Sequence, residues 1–428
     1  MSEVLKPDQH WLLQWMDEFG ATDRSTVAAR LKSSDSVSRL FDLAVSHRTV
    51  DYSTVPLSNV VVAGPWLDPS ATFMCSGINC QKRHIELNFG RVLHYFDFVM
   101  LEGPSASAFA IALAKASMKR DFSRLSYGLG ASVEFLQYVR SIGLDKHLIF
   151  ADKVCGCRPH LLEGAEKIDA KPLVDLAELD RLAKQLAKDG GVKVKPDGPD
   201  RWYGVVTHPN FRGTSGHIFK QSEEPRREDV ARWLLDSWLQ SAVYDSATAQ
   251  QLGAPLVSLA PSPIFDRTTD VQTISVDDVA ARIRIPALES LPLRDLIALR
   301  NHESDQFIRF RAVLREAIAE TLEKGDTDSP ERIAEKVWQN KVKPAVADIN
   351  RKIAANNRSL RDKLIAASAV GTVAGAIGAV ATMPWLIGIG LVAAGAPLHQ
   401  YFKAREERQK IEAENDMYFM WKVSQHHG

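Results

Sequence analysis

From Leu364 through Leu398 the chain runs for 35 residues without one Asp, Glu, Lys or Arg. Pro384 divides the wider run into LIAASAVGTVAGAIGAVATM, 20 residues, and WLIGIGLVAAGAPLHQYF, 18 residues. Each half has the length needed to cross a hydrocarbon layer ~30 Å thick at ~1.5 Å per helical residue. Arg351, Lys352, Arg358, Arg361 and Lys363 precede the segment, and Lys403, Arg405, Arg408 and Lys410 follow it. Basic residues at both ends suit a hairpin with both ends on the cytoplasmic side. Gly371, Gly375 and Gly378 with Ala367 and Ala374 would let two helix backbones pack closely. The same run also fits the buried core of a soluble helical bundle, because ten of the 35 residues are alanine and six are glycine, and neither drives insertion strongly. The expectation is therefore an apolar helical hairpin over 364–402, turning near Pro384, with either lipid or protein around it.

The rest of the chain reads as globular. Over 428 residues, 53 basic side chains are matched by 53 acidic ones, which argues against a surface given over wholly to nucleic acid. Four cysteines are too few for a disulfide framework in so long a chain, and MSEVLKPDQH lacks the apolar run of a signal peptide. The expected location is the cytoplasm or the cytoplasmic face of the inner membrane.

Residues 1–50 form a helical preface, in which HWLLQWMDEFG and STVAARLKSSDSVSRLFDLAV carry apolar positions at helical spacing. In 51–270, NVVVAGPWL, FDFVMLEGPS and HLIFADKV are short apolar runs bounded by turn residues. They alternate with helical stretches, the pattern of an α/β domain with a partly parallel sheet. KPLVDLAELDRLAKQLAKDGG is an amphipathic helix, VKVKPDGPD reads as a loop, RWYGVVTHPNF as a fourth strand, REDVARWLLDSWLQSAVYDSATAQQLG as a helix and APLVSLAPSPIF as a short strand. Residues 271–363 read as helical, with a bend at Pro344, and 403–428 as a C-terminal tail. The fold class is thus an α/β N-terminal region followed by an all-α C-terminal region that contains the apolar hairpin.

Three clusters could carry chemistry. Cys75, Cys80, Cys155 and Cys157 form two close pairs that could meet on zinc, with His84 and His160 as substitutes, although Cys-x-Cys is not the usual knuckle and packed thiols explain them too. Glu102 and Asp152 end two of the strand runs and, with Asp245, could hold a divalent cation for phosphodiester cleavage; most acids at strand ends only cap loops. Arg212, Thr214 and Ser215 lie in RGTSG, the equipment of a phosphate cradle without the ending of a P-loop, and a glycine turn at a hairpin tip accounts for it equally well. His208 and His217 flank that run and could act as acid or base.

The helix LRNHESDQFIRFRAVLREAI and the terminal AENDMYFMWKV resemble the last third of uncharacterised bacterial proteins, some encoded beside phage-defence genes, that end in an aromatic segment after an Ala/Gly-rich stretch. The resemblance implies a bacterial origin and a defence role, and it carries over no catalytic residue. Two functions follow. One is a sensor or effector acting through a protein partner, with the apolar hairpin as a membrane contact. The other is a soluble metal-dependent nuclease or phosphodiesterase using Glu102, Asp152 and Asp245, the only reading that makes nucleic acid a partner.

Overall fold

The computed structural model describes residues 10–46, 59–64, 67–69, 77–104, 106–151, 176–189, 191–208, 211–257, 275–283, 291–323, 328–349 and 415–425, with isolated positions at 162, 165, 166, 351, 406 and 410. The apolar hairpin, Asp152, Cys75, Cys155, Cys157 and His160 lie outside the described residues. Among those described, no helix is long and apolar enough to cross a membrane. The chain divides into two compact units, 1–282 with 292–298, and 283–291 with 299–428.

The first unit opens with three helices, α1 (Trp11–Phe19), α2 (Arg24–Arg30) and α3 (Ser34–Ser46). Trp11, Leu12, Trp15 and Met16 repeat at helical spacing and are buried. Strand β1 (Val60–Ala63) follows, then α4 (Ile78–Asn88) and the single turn α5 (Gly90–Leu93). Next come β2 (Phe98–Glu102), α6 (Ala106–Lys119), α7 (Ser123–Ser141) and β3 (Leu148–Ala151). The preface helices pack on this layer, α2 and α1 against α7 and α3 against α6. Helix α8 (Leu176–Lys188) leads into β4 (Val192–Gly198), β5 (Arg201–His208) and β6 (Phe211–Lys220). The 26-residue helix α9 (Arg227–Leu252) stops at Gly253, whose φ of 59° is the left-handed cap that glycine adopts without strain. Strand β7 (Leu256–Val257) and the short α10 (Val276–Ala280) complete the unit.

Four strands form one sheet in the order β3-β2-β1-β7, all parallel. The other three form an antiparallel meander, β4-β5-β6. Helix α9 serves both. Val230, Leu234, Leu235 and Leu239 share a core with Val192 and Val206 of the meander and with Leu179, Ala183 and Leu186 of α8. Two turns or more further on, Ala249 and Leu252 pack with Val60, Val62, Met100 and Ile149 of the parallel sheet.

Two local expectations are corrected. VKVKPDGPD is not a loop, since Val192–Gly198 pairs with β5; it is an edge strand with a register shift between Pro196 and Gly198, a place where proline and glycine are tolerated. The glycine run after His208 is not a turn either. Phe211–Lys220 is strand throughout and pairs with β5 from Thr214 to Lys220.

The second unit begins its helices with the last turn of α11 (Leu293–His302), followed by α12 (Ser304–Glu323) and α13 (Pro330–Val337). Beyond α13 a π turn spans Trp338–Val342, and residues 343–349 are helical. Pro344 follows this π turn: proline has no N–H to return to the preceding turn, and the turn before it is wider than an α turn. The terminal helix α14 (Tyr418–Gln425) packs on α12 through Phe419, which meets Phe307 and Phe310 at ring-centroid distances of 5.1 and 5.8 Å. Glu303 is buried and pairs with Lys422 of α14 and with His302 Nδ1 at 2.9 Å. Arg300 lies over the Phe307 ring, 4.2 Å from its centroid.

Candidate functional site

The polar groups of the first unit converge at the carboxyl ends of β1 and β2. Strand β1 is buried along its whole length, so chemistry is possible only beyond its end. There Gly64 donates its N–H to Val257 O at 2.8 Å, and a Cβ at this position would meet Leu256 Cδ1 at 2.9 Å and Val257 O at 3.2 Å. Glycine is what lets the end of β1 close on β7. The carbonyl of Gly64 then accepts from Leu67 N and Asp68 N, a turn that drives the Asp68 side chain inward to 1% exposure. Asp68 Oδ2 accepts the Glu102 N–H at 2.6 Å and so joins the tips of the two strands.

Helix α4 holds this turn from one side. His84 Nε2 donates to Leu67 O at 3.0 Å, and Gln81 Nε2 donates to Pro69 O at 3.2 Å, while the buried Gln81 Oε1 has no hydrogen-bond partner among the described residues. Burial pushes the His84 pKa down, against the opposing pull of its bond to Leu67 and of the Asp68 charge. Asn88 Nδ2 donates to His84 O at 2.8 Å and stands 3.4 Å from His84 Nδ1, a placement that suits a bare acceptor nitrogen and a neutral ring.

Helix α1 closes the other side. His10, 6% exposed, caps that helix by accepting Leu12 N–H on Nδ1 at 3.2 Å, and its ring meets Phe150 edge-on at 5.0 Å. Trp11 Nε1 donates to Pro104 O at 3.1 Å. Gly103 sits between, where a Cβ would be 2.7 Å from Phe150 Cβ and 3.3 Å from His10 Nε2. Glu102 ends β2 with its Oε2 buried, and it is registered opposite Ala151, the last residue of β3.

Of the residues that the sequence singled out, Glu102 is in this cluster, and the register puts the chain position next to Asp152 beside it. Asp245 is a buried residue of α9, one turn before Ala249. Among the described residues no three His, Cys, Asp or Glu side chains are grouped to hold a metal ion. Cys80 is exposed on α4. Arg212, Thr214 and Ser215 lie in β6, with Thr214 opposite Thr207 and Ser215 opposite Val206. An extended backbone turns successive amides to opposite sides, so these residues do not converge their N–H groups on one anion as a cradle does. His217 stacks on Trp233 at 4.5 Å and 18°, and burial lowers its pKa.

Sequence reasoning missed Asp68, Gln81 and His10, and it weighed His84 only as a zinc ligand. One signal was there to be used: β1 and β2 both end in Gly-Pro, as Ala63-Gly64-Pro65 and as Glu102-Gly103-Pro104. Two adjacent strands that break in the same way leave their ends at the same edge. Compared with protein families, with curated proteins and with solved structures, the chain matches none of them.

Proposed function

We propose that this chain is a sensor or effector whose α/β unit takes a ribose-bearing small molecule at the carboxyl edge of the parallel sheet. The observation that carries the reading is the strand order β3-β2-β1-β7 with Glu102 at the end of β2. Chain order runs outward from β1 to β3 and then returns to the far side of β1, so the order reverses between β1 and β7. In open parallel sheets, ligands settle outside the carboxyl ends of the strands at such a reversal, and an acidic side chain beyond the first crossover accepts ribose hydroxyls. Asp68 and Glu102 make this edge acidic, and the sequence has no G-x-G-x-x-G to grip a pyrophosphate. Hydroxyl and amino donors are therefore the groups that it recognises. The bacterial and defence context implied by the C-terminal resemblance fits a ligand-triggered protein, with the uncharged residues 364–398 supplying the contact to a membrane or a protein partner.

Thermal shift with adenosine, ATP and NAD tests the reading. At about ten times Kd, one of them is expected to raise Tm by about 2 to 4 °C, and Glu102→Leu to remove the shift. No shift with any of the three, or a shift that survives in Glu102→Leu, would overturn it.

A further inference from the structure

The antiparallel sheet has one face on α8 and α9 and the other in solvent. Its inward positions are Val192 and Val194 on β4, Trp202, Gly204 and Val206 on β5, and His217 and Phe219 on β6. The alternate positions make up the open face. They include Lys193 and Lys195 on β4, Arg201 and Tyr203 on β5, and Ile218 and Lys220 on β6, all exposed. Register puts Lys195 and Ile218 on either side of Tyr203, Lys220 beside Arg201, and Lys193 and Gly216 on either side of Val205. Direct and diagonal neighbours in such a sheet stand within roughly 8 Å, so Lys193, Lys195, Arg201 and Lys220 all lie within reach of the tyrosine.

Two details show that this face is not an ordinary solvated surface. Arg201 Nη2 reaches Asp197 at 2.8 Å, but among the described residues Lys193, Lys195 and Lys220 have no acidic partner, which leaves four cations against one carboxylate. The Tyr203 ring also lies across Gly216, where a Cβ would sit 2.3 Å from its hydroxyl oxygen and 2.5 Å from Cζ. Only a glycine lets the ring lie down against the neighbouring strand and turn its other face to solvent. A flat aromatic ring among unpaired cations is what single-stranded nucleic acid uses, with bases stacking on the ring and phosphates meeting the cations.

We infer that the open face of the β4-β5-β6 sheet binds single-stranded nucleic acid, with Tyr203 as the stacking platform and Lys193, Lys195, Arg201 and Lys220 on the phosphates. This binding is independent of the ribose-bearing ligand at the parallel sheet, and it needs neither Glu102 nor a metal.

Fluorescence anisotropy of the full chain with labelled oligo-dT and oligo-U of about twelve nucleotides tests it. Affinity is expected to fall about fifty-fold between about 50 and about 200 mM NaCl if all four cations meet phosphates. The pair Lys195→Glu and Lys220→Glu should weaken binding at least about tenfold and flatten the salt dependence. Tyr203→Ser should weaken it at least about fivefold with the salt slope unchanged, and Tyr203→Phe should restore it. The control pair Lys32→Glu and Lys119→Glu, exposed elsewhere on the same unit, should leave affinity within about twofold. An equal loss in the control pair would reduce the binding to net charge and overturn the assignment. So would failure of either oligonucleotide to bind at low salt, including the case in which phosphatidylserine vesicles bind instead. Tyr203→Ser binding as tightly as the parent would overturn the role of the ring.

Discussion

The two sheets of the first unit are built on the same helix, α9, and carry their chemistry in opposite places. The parallel sheet is covered: Val60, Val61, Val62, Val99, Met100 and Leu101 are all buried, so nothing polar can stand on its faces. Its polar groups are pushed to the strand ends, where Asp68, Glu102, Gln81 and His84 meet. The antiparallel sheet is covered on one side only, and Lys193, Lys195, Arg201, Tyr203 and Lys220 stand on the other. Coverage follows from connectivity. Parallel strands need crossovers that lie over the sheet, whereas a meander turns in two residues and leaves a face bare. Parallel connection therefore gives a point-like site, and antiparallel connection an extended surface.

The sharpest way to break this contrast is a charge in each sheet. Val61→Asp would bury an unpaired carboxylate at a position with 0% exposure, and it is expected to cost about 4 kcal/mol or more and leave the first unit unfolded. Val205→Asp, on the open face of the meander, should cost about 1 kcal/mol or less. Urea unfolding followed by circular dichroism separates the two, and equal losses would mean that the meander face is covered.

Glycine contacts give a smaller and more local test. Gly103→Ala presses a Cβ onto Phe150 Cβ, which the backbone holds in place, and should cost about 1 to 3 kcal/mol. Gly216→Ala meets only the outer end of the Tyr203 ring, which can swing into solvent, so stability should change by about 0.5 kcal/mol or less while the ring loses its place. Tyrosine fluorescence and oligonucleotide affinity would register the second effect, and a melting curve the first.

Asp68→Ala removes the acceptor of the Glu102 N–H and should cost about 1 to 2 kcal/mol, together with the thermal shift from the ribose-bearing ligand. Retained ligand response would show that the strand tips need no join.

The smallest effect expected is that of pH. His84 is held neutral by burial, so between its lowered pKa and the ordinary value of 6.5 the unfolded chain binds more protons than the folded one. Its contribution is complete above about pH 6.5 and declines as pH falls below it. His217 is lowered for the same reason on the other sheet. Melting temperatures at about pH 7.5 and 5.5 should therefore converge partly in His84→Gln, and an unchanged pH response would assign the effect to His217.

Much of this architecture could be read from residue order. Short β-branched runs closed by Gly-Pro gave β1 and β2, the leucine spacing of 176–188 gave α8, and Gly253 marked the stop of α9. The meander was less legible. Pro196 and Gly198 disguise β4, and Gly213 and Gly216 make β6 look like a phosphate loop, although at Gly216 the residue makes room for the Tyr203 ring. In the second unit Arg300 lies on Phe307, and Glu303 takes Lys422 from 119 positions away, a pairing that residue order does not disclose.

What the sequence determined by itself was the local part: most of the helices, and the apolar strand runs of the parallel sheet. Those properties depend on neighbours a few residues apart, whose spacing and side-chain type act directly on the backbone. The tertiary structure alone decided that Asp68 would cap Glu102, that His84 and Gln81 would hold the turn after β1, and that four cations would surround Tyr203. Each of these depends on strand order and register, which are set when distant segments bury their apolar faces together.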